Sequence, residues 1–495
     1  MKSFHLHEIV AQIDAIHRDL ARISVERRLG TPSALTMADV FGLYPVPLQP
    51  KVIGFLRKAI KASKDADHAE RLQRVLFACM DLQIDQTTAQ LVEMLNFYME
   101  RTRMHVQGIK IPALEVVPWV QAESDFAKRE EMMKECNIFF KAIANPVLTG
   151  VLDLTTKTVK ERFRFDNYVE FSAEKKQISF DAHARVYTNY LAATHDAYTK
   201  RMSAWVNDGI GRAFDNLSRY HALHLLRITR YDGFFPRDSL PVLAGRTFSG
   251  LGFDIDTCPG VNLDLSDHRS KNPDPICVGV EIPGEIYVLM KPVGGLIDVE
   301  ALLHELGHAF FLAHVDPALP MEYRRLYRSP ALDEAFAFLF MDLVDNPAWL
   351  TETAGLPEPE AQSLAYLYQT KRVCLIRRHI GKFLSEKELH ETGVLTDSSP
   401  YCRHMMAATG FVYEPEGYLI DMDPDFYALD YLRAWAGAHL LRTYLEERFG
   451  LSWFTYPEAG AFLKDMAFRA RRYSLEQTLR DFCGEEPHLP EFTEP

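Results

Sequence analysis

Cysteine is scarce in this chain and follows no pattern. The 495 residues include seven cysteines, an odd number, and no two of them form a C-x-x-C pair. The sequence therefore predicts no disulfide framework, and we expect free thiols in a reducing compartment. On this basis the protein is predicted to be cytoplasmic. The seven positions are Cys79, Cys136, Cys258, Cys277, Cys374, Cys402 and Cys483.

Clustered positive charge and long apolar runs are also missing. The formal net charge is −13, and the chain contains no block of Lys and Arg. This acidic balance argues against a nucleic-acid partner and against binding to an anionic membrane surface. No uninterrupted apolar run approaches the length of a transmembrane helix, and residues 1–5 lack the layout of a signal peptide. The sequence also shows no internal repeat and no low-complexity tract.

Apolar and aromatic residues are plentiful. Hydrophobic residues make up 47% of the chain, which includes 31 Phe and 21 Tyr, enough for a large packed core. Helical spacing predominates up to Tyr231 and again after about Asp298. We therefore expect a helical N-terminal half over 1–235 and a second half over 236–495. Helices in the first half are predicted at 51–63, 68–80, 86–104, 125–142 and 181–231.

A short region between the two helical parts has the pattern of strands. Residues 261–265 and 276–282 alternate with period two, and Pro283-Gly284 is a turn that leads into a further strand at 285–290. The sequence thus predicts a β-hairpin directly before the next helix. The edge of such a hairpin could bind an extended peptide backbone by strand addition.

The helix that follows carries His304-Glu305-Leu306-Gly307-His308. Residues four apart share one face of a helix, so His304 and His308 can reach the same metal ion. Glu305 is rotated away from them and can face the open side of the metal without being a ligand. Two imidazoles and one carboxylate would leave a fourth position for water, as in catalytic zinc sites. Glu334, in the first turn of the next predicted helix, is the candidate third ligand.

Chance is the alternative explanation, because this spacing can arise without a metal. Three local features favour a metal site. Apolar residues over 298–313 follow helical spacing. Gly307 costs helix propensity, about 1 kcal/mol, which indicates a packing or approach requirement. Ser329-Pro330 predicts the start of a second helix over 331–344 that places Glu334 in its first turn.

These residues, together with Asp264-Leu265 and Arg269-Ser270-Lys271 before the hairpin, resemble the thimet oligopeptidase and oligopeptidase F family. Asp333-Glu334-Ala335 is similar instead to the third-ligand segment of angiotensin-converting enzyme, a related gluzincin. The resemblance implies a mostly α, two-lobed zincin-like fold with a deep substrate channel. It also implies a Zn²⁺ cofactor held by His304, His308 and Glu334, with Glu305 as the general base.

The resemblance further implies tyrosine donors for the oxyanion of the transition state. Tyr431 is the first candidate and Tyr427 the second, since both lie in a helical stretch at the corresponding position and share a face. The residues alone favour the other interpretation, that both tyrosines are amphipathic core residues with satisfied hydroxyls. The chain departs from the family pattern before Tyr427, where no histidine is found. Phe338 stands where relatives of the converting-enzyme type have a carboxylate.

The sequence therefore predicts a zinc-dependent oligopeptidase whose partner is a short, unfolded peptide. A metallocarboxypeptidase on a similar helical fold is the first alternative. A peptide-binding protein that keeps the zinc cleft without catalysis is the second, although it would not need Glu305. The sequence leaves the oligomeric state open.

Overall fold

The predicted mostly α fold with a small sheet is confirmed by a computed structural model of the chain, which describes residues 4–268 and 270–492. Arg269, part of the family resemblance, lies outside the described residues. The helices before the central sheet are α1 (Leu6–Leu29), α2 (Met37–Leu43), α3 (Pro50–Ala62), α4 (Ala66–Arg101), α5 (Val116–Ala122), α6 (Phe126–Phe139), α7 (Asn145–Lys157), α8 (Tyr168–Lys176), α9 (Phe180–Ala193), α10 (His195–Ile210), α11 (Arg219–Leu226) and α12 (Leu240–Gly250).

The remaining helices follow the sheet and carry the sequence motifs. They are α13 (Leu296–Ala313), α14 (Met321–Arg324), α15 (Ala331–Met341), α16 (Pro347–Glu352), α17 (Glu358–Thr392), α18 (Ser399–Thr409), α19 (Tyr427–Phe449), α20 (Pro457–Ala470) and α21 (Leu475–Cys483). The strands are β1 (Arg103–Val106), β2 (Ile109–Pro112), β3 (Val261–Asp264), β4 (Ile276–Glu281) and β5 (Glu285–Leu289).

The N-terminal half differs from the sequence prediction in three places. The helices predicted at 68–80 and 86–104 form the single helix α4, because no Gly or Pro separates them. The segment predicted as helical over 181–231 divides into α9, α10 and α11, and Gly211 ends α10 with a positive φ of 71°. The hairpin β1–β2 was missed. It turns at Gln107 and Gly108, both with positive φ, as two-residue hairpin turns require.

The predicted central hairpin is confirmed. Strand β4 pairs antiparallel with β5, and β3 joins the other side of β5 in parallel, so the order is β3-β5-β4. Helix α1 packs on one face of this sheet, where Val25 shares a small buried cluster with Val280 and Leu289. Strand β4 is therefore an edge strand of this sheet, and it comes from the chain segment just before α13.

Helices α13 and α15 pass unusually close to each other at Gly307. A Cβ atom at this position would lie 2.7 Å from Cα of Ala337 and 2.9 Å from the carbonyl oxygen of Phe336. Both contacts are with backbone, which cannot rotate away. The helix-propensity cost of Gly307 is thus explained by a close backbone approach. The largest buried core contains residues from both predicted halves, 1–235 and 236–495, and extends in sequence from Val169 to Phe492.

One helical run among the described residues is long and apolar enough, by length and composition, to cross a membrane. This run is Phe126–Phe163, and 22% of its most apolar window is buried. It consists of α6 and α7 with π-helical turns at Phe140–Ala144 and Thr158–Phe163. Charged residues such as Lys141 and Asp153 interrupt it, which is why the sequence shows no unbroken apolar stretch there.

We expect Gly307→Ala to destabilise the protein, because the added methyl would overlap the backbone of α15. Overpacking of this kind costs about 1–3 kcal/mol. Gly245→Ala is the matched control, since Gly245 lies inside α12 with no atom within 4 Å of the added Cβ. That substitution should be neutral or stabilising, by up to about 1 kcal/mol. Urea unfolding of both variants measures the difference, and equal stability of the two would contradict the close approach.

Candidate metal centre and active site

Three side chains converge on one point between α13 and α15. Nε2 of His304 lies 3.5 Å from Oε2 of Glu334, and Nε2 of His308 lies 3.4 Å from the same oxygen. The two imidazole rings are nearly perpendicular, with centroids 4.9 Å apart. All three side chains offer donor atoms within 4.8 Å of one another. The structure thus brings together the three ligands that the sequence predicted.

This arrangement fits a zinc ion. With bonds of about 2.0–2.1 Å, donor atoms around a tetrahedral zinc lie about 3.3–3.4 Å apart. Both His–Glu separations, 3.4 and 3.5 Å, are close to that spacing. Oε2 of Glu334 is buried and has no hydrogen-bond partner among the described residues. A buried carboxylate oxygen without a partner is costly, and a cation between the three donors would satisfy it.

The phase of α15 selects Glu334 over its neighbour Asp333. Helix α15 begins at Ala331, and the first helical hydrogen bond runs from the Glu334 N–H to the carbonyl of Pro330. Glu334 faces α13 and is 3% exposed. Asp333 also lines the cavity, but it accepts a hydrogen bond from Arg471 at 2.6 Å. Adjacent acidic residues therefore have different partners because they lie on different faces of one helix.

The two histidines have opposite pKa shifts. Burial lowers the pKa of His304 to about 4, and the neighbouring His308 lowers it further. Burial also opposes charge on His308, yet the Glu334 carboxylate raises the pKa of His308 to about 9. In return, contact with His308 overcomes the effect of burial and lowers the pKa of Glu334. The shifts of His308 and Glu334 thus arise mainly from their contact with each other.

Glu305 lies beside this cluster and has a perturbed pKa. Burial raises the pKa of Glu305 to about 7, with Glu334 adding to the shift and His308 opposing it. The backbone of Cys277, on edge strand β4, lies near the Glu305 carboxylate and opposes the rise in its pKa. A carboxylate with a pKa near neutrality can both accept and release a proton at physiological pH. Its position next to β4 also brings it close to any chain that pairs with that edge.

The two candidate tyrosines have different surroundings. The hydroxyl of Tyr427 donates to Oε1 of Glu334 at 2.5 Å, so this phenol contacts the predicted third ligand. The hydroxyl of Tyr431 has no hydrogen-bond partner within 4–268 and 270–492, and the residue lines the same cavity. Burial, with the negative charge of Glu334, raises the pKa of both phenols, so both remain protonated donors.

A cavity of about 450 Å³ contains the site. Its lining includes the three ligands, Glu305 and both tyrosines, and one side is formed by residues Ile276, Cys277, Gly279 and Ile282 on and beside β4. His17 and Ala21 of α1, the helix that packs on this sheet, also line the cavity. Arg325 also lines it and links α1 to β4, since it donates to Asp14 of α1 and to the carbonyl of Val280. The part of the lining that α1 contributes could not be predicted, because no local pattern in α1 indicates it.

The immediate surroundings of the histidines are apolar on one side. The Phe338 ring lies 5.3 Å from the ring of His304 and stacks on Trp435 at 4.3 Å. Nδ1 of His304 is buried and has no hydrogen-bond partner in the described part of the chain. Asp342, directly after α15, accepts a hydrogen bond from Arg372 and does not hydrogen-bond to either histidine. Phe338 therefore orients His304 by packing.

Two further polar side chains have structural partners. Arg433 is 4% exposed and makes a two-point contact with Glu476 at 2.8 and 2.9 Å. His314 bonds through Nδ1 to the carbonyl of Phe310. These residues stabilise the fold around the site and are not aimed at its ligands.

Comparison with solved structures finds this fold in a known peptidase. The crystal structure of an M32 carboxypeptidase from Deinococcus radiodurans R1 superimposes with a TM-score of 0.62 at 15% sequence identity, over 98% of this chain and 95% of that chain. No protein-family model matches the sequence, and no curated protein matches it either. The resemblance to the thimet oligopeptidase and oligopeptidase F family stays a prediction. The comparison establishes that the whole chain has the helical fold of that carboxypeptidase.

Proposed function

We propose that this protein is a zinc-dependent metallopeptidase that hydrolyses short, extended peptides. The observation that carries the proposal is the convergence of His304, His308 and Glu334 at 3.4–3.5 Å, with Glu305 in the same cavity. A site that only binds peptides needs no carboxylate with a pKa near 7 next to the ligands. The presence of Glu305 therefore supports catalysis over simple binding.

The chemistry divides between the ion and the side chains. Bound zinc supplies a Lewis acid that lowers the pKa of water towards about 7 and polarises a carbonyl group. The Glu305 carboxylate would accept the proton of the attacking water and pass it to the leaving amine. His304 and Glu334 would hold the ion together with His308. Tyr427 would keep Oε2 of Glu334 directed at the imidazoles through its bond to Oε1.

Tyr431 is our candidate for stabilising the oxyanion. Its phenol is protonated, lies in the cavity and has no competing hydrogen bond among the described residues. Hydrogen-bond donors that are already in place stabilise the charge developing on the carbonyl oxygen. Tyr427 is the weaker candidate for this role, because its hydroxyl is engaged by Glu334.

An extended substrate fits the shape of the site. Edge strand β4 borders the cavity, and the backbone of Cys277 reaches Glu305. A peptide paired with β4 would therefore run past the general base, and strand pairing recognises backbone without requiring a particular sequence. A folded domain cannot offer such a strand, so short unfolded peptides are the proposed partners.

A carboxypeptidase is the second candidate function. It is favoured by the fold shared with the M32 carboxypeptidase over 98% of this chain. The two candidates use the same ligands and base, and they differ in whether a free C-terminus is required.

Removing a ligand and removing the base should have separable effects. We expect His304→Ala, His308→Ala and Glu334→Ala to abolish stoichiometric zinc, since each removes one of three donors. Glu305→Gln should keep zinc and lose about 100- to 10,000-fold in kcat. Elemental analysis after gel filtration, together with peptide hydrolysis, measures both. Asp333→Asn is the control for the third ligand and should retain zinc. If Asp333→Asn loses zinc while Glu334→Ala retains it, the assignment of Glu334 as the third ligand is wrong.

Tyr431→Phe should lower kcat by about 100- to 1000-fold, the usual loss for one oxyanion donor. Zinc content and KM should change little, because the hydroxyl contacts neither a ligand nor the ground-state peptide. Tyr418→Phe is the matched control, since its buried hydroxyl donates to the carbonyl of Leu395. An unchanged kcat in Tyr431→Phe would remove this residue from the mechanism.

Peptides with free and amidated C-termini separate the two candidate functions. We expect a quenched peptide of about ten residues, roughly 33 Å long when extended, to be cut in a zinc-dependent manner. Equal internal cleavage of the amidated peptide supports the oligopeptidase. Stepwise loss of C-terminal residues, stopped by amidation, supports the carboxypeptidase. The same sequence placed in a surface loop of a folded protein should not be cleaved. If none of the peptides is cleaved, both candidate functions are contradicted.

A further inference from the structure

The backbone directly before Tyr427 has an uncommon conformation. Asp425 and Phe426 have φ values of 54° and 52°, so two consecutive residues other than glycine are left-handed. Such conformations persist where surrounding contacts hold them, and they cluster at functional sites. Tyr427 is the first residue of α19, and its hydroxyl reaches Glu334 at 2.5 Å. The turn therefore sets where this phenol lies relative to the third ligand.

Two lysines from the N-terminal half hold the first residue of this turn. Oδ2 of Asp425 accepts hydrogen bonds from Nζ of Lys175 at 2.9 Å and of Lys176 at 3.1 Å. Lys175 also pairs with Asp81 at 2.7 Å, and Lys176 with Asp430 at 2.5 Å. The side chain of Lys176 is completely buried. Charge pairs removed from water hold their geometry firmly, because breaking one leaves a buried charge without a partner.

The second residue of the turn is held by aromatic rings. Phe426 is 2% exposed and packs edge-on against Phe180, with centroids 4.9 Å apart. Tyr168 and His390 complete its surroundings at 5.8 and 5.4 Å. The left-handed pair is thus fixed by an ion-pair cluster on one side and an aromatic pocket on the other.

We propose that Lys175 and Lys176 are positioning residues for the metal site. By holding Asp425, they keep the turn in place and the Tyr427 hydroxyl on Oε1 of Glu334. The N-terminal half would then contribute to the geometry of the third ligand, although it supplies no ligand of its own. This inference rests on the proposed metal site.

Asp425 is the residue to substitute, because its ion pairs are with Lys175 and Lys176, the two residues under test. Asp430, the second partner of Lys176, also accepts a hydrogen bond from Ser329 at 2.6 Å, and Ser329 lies just before α15. A change at Lys176 would therefore disturb α15 directly. Asp425→Ala removes the carboxylate that the two lysines share and leaves Asp430 in place.

The test is a double-mutant cycle in the full-length chain, with the zinc dissociation constant measured by chelator competition. We expect Asp425→Ala and Tyr427→Phe each to weaken zinc binding, by about 10- to 100-fold as for other groups that support a metal ligand. If Asp425 acts through Tyr427, the double variant should bind zinc no more weakly than Tyr427→Phe alone. The proposal would be overturned if the fold-losses in zinc affinity of the two single variants multiply in the double variant. It would also be overturned if Asp425→Ala binds zinc as tightly as the wild type.

Two further variants separate positioning from general stability. Asp425→Asn keeps the shape, an oxygen acceptor and a tolerance for left-handed backbone, so it should recover most of the affinity lost in Asp425→Ala. Asp345→Ala is the matched control, because Asp345 is 1% exposed and lies between Arg372 and Arg442 in the same way. It should lower the melting temperature without changing zinc affinity. A zinc loss in Asp345→Ala equal to that in Asp425→Ala would overturn the assignment.

The cycle contains no substrate, so its outcome is independent of peptidase activity. If the wild type binds zinc and the two substitutions weaken binding independently, the positioning role is overturned and the proposed function is unaffected. Absence of zinc from the wild type would overturn both.

Discussion

The candidate site depends on the contact between the backbones of α13 and α15 at Gly307. The two histidines flank this contact on α13, and Glu334 lies one turn before Ala337, where a Cβ on residue 307 would come within 2.7 Å of the α15 backbone. Separations of 3.4–3.5 Å between donor atoms leave little tolerance for a wider spacing of the helices. Because close-packed interiors do not give way to an added methyl, the smallest side chain is needed where the backbones meet.

Glu334 uses its two carboxylate oxygens for different purposes. Oε1 accepts the hydrogen bond of Tyr427, while Oε2 faces both imidazoles without any other partner among the described residues. A carboxylate that is 3% exposed must have such contacts to remain charged. Tyr431, one turn further along α19, has no bond of this kind and faces the same cavity. One helix thus provides a phenol that bonds to Glu334 and a phenol that lines the cavity without a hydrogen-bond partner among the described residues.

The N-terminal half reaches the site through ion pairs and cavity walls. Arg325 connects Asp14 of α1 with edge strand β4. Lys175 and Lys176 of α8 bind Asp425, two residues before Tyr427. Buried pairs of this kind add little net stability compared with apolar packing, but they are specific in geometry, since losing either partner is costly. They account for a helical half that lacks a catalytic motif and still affects the site.

Local patterns in the sequence were enough to predict much of the fold and the convergence of His304 and His308. The four-residue spacing of His304 and His308 follows from helix geometry, and the period-two alternation before it predicted the β4–β5 hairpin. Helix periodicity is a short-range property, so it is visible in a single stretch of residues. The same reasoning divided α4 in two and missed the β1–β2 hairpin, because neither boundary has a strong signal.

Only tertiary structure decided the partners of residues far apart in the chain. Glu334 faces the histidines while Asp333 binds Arg471, and Tyr427 meets Glu334 across 93 positions. Lys175 and Lys176 meet Asp425 across about 250 positions. Such contacts depend on how helices pack and on the residue at which each helix starts. They cannot be predicted locally, because the sequence of one segment does not specify which distant segment packs against it.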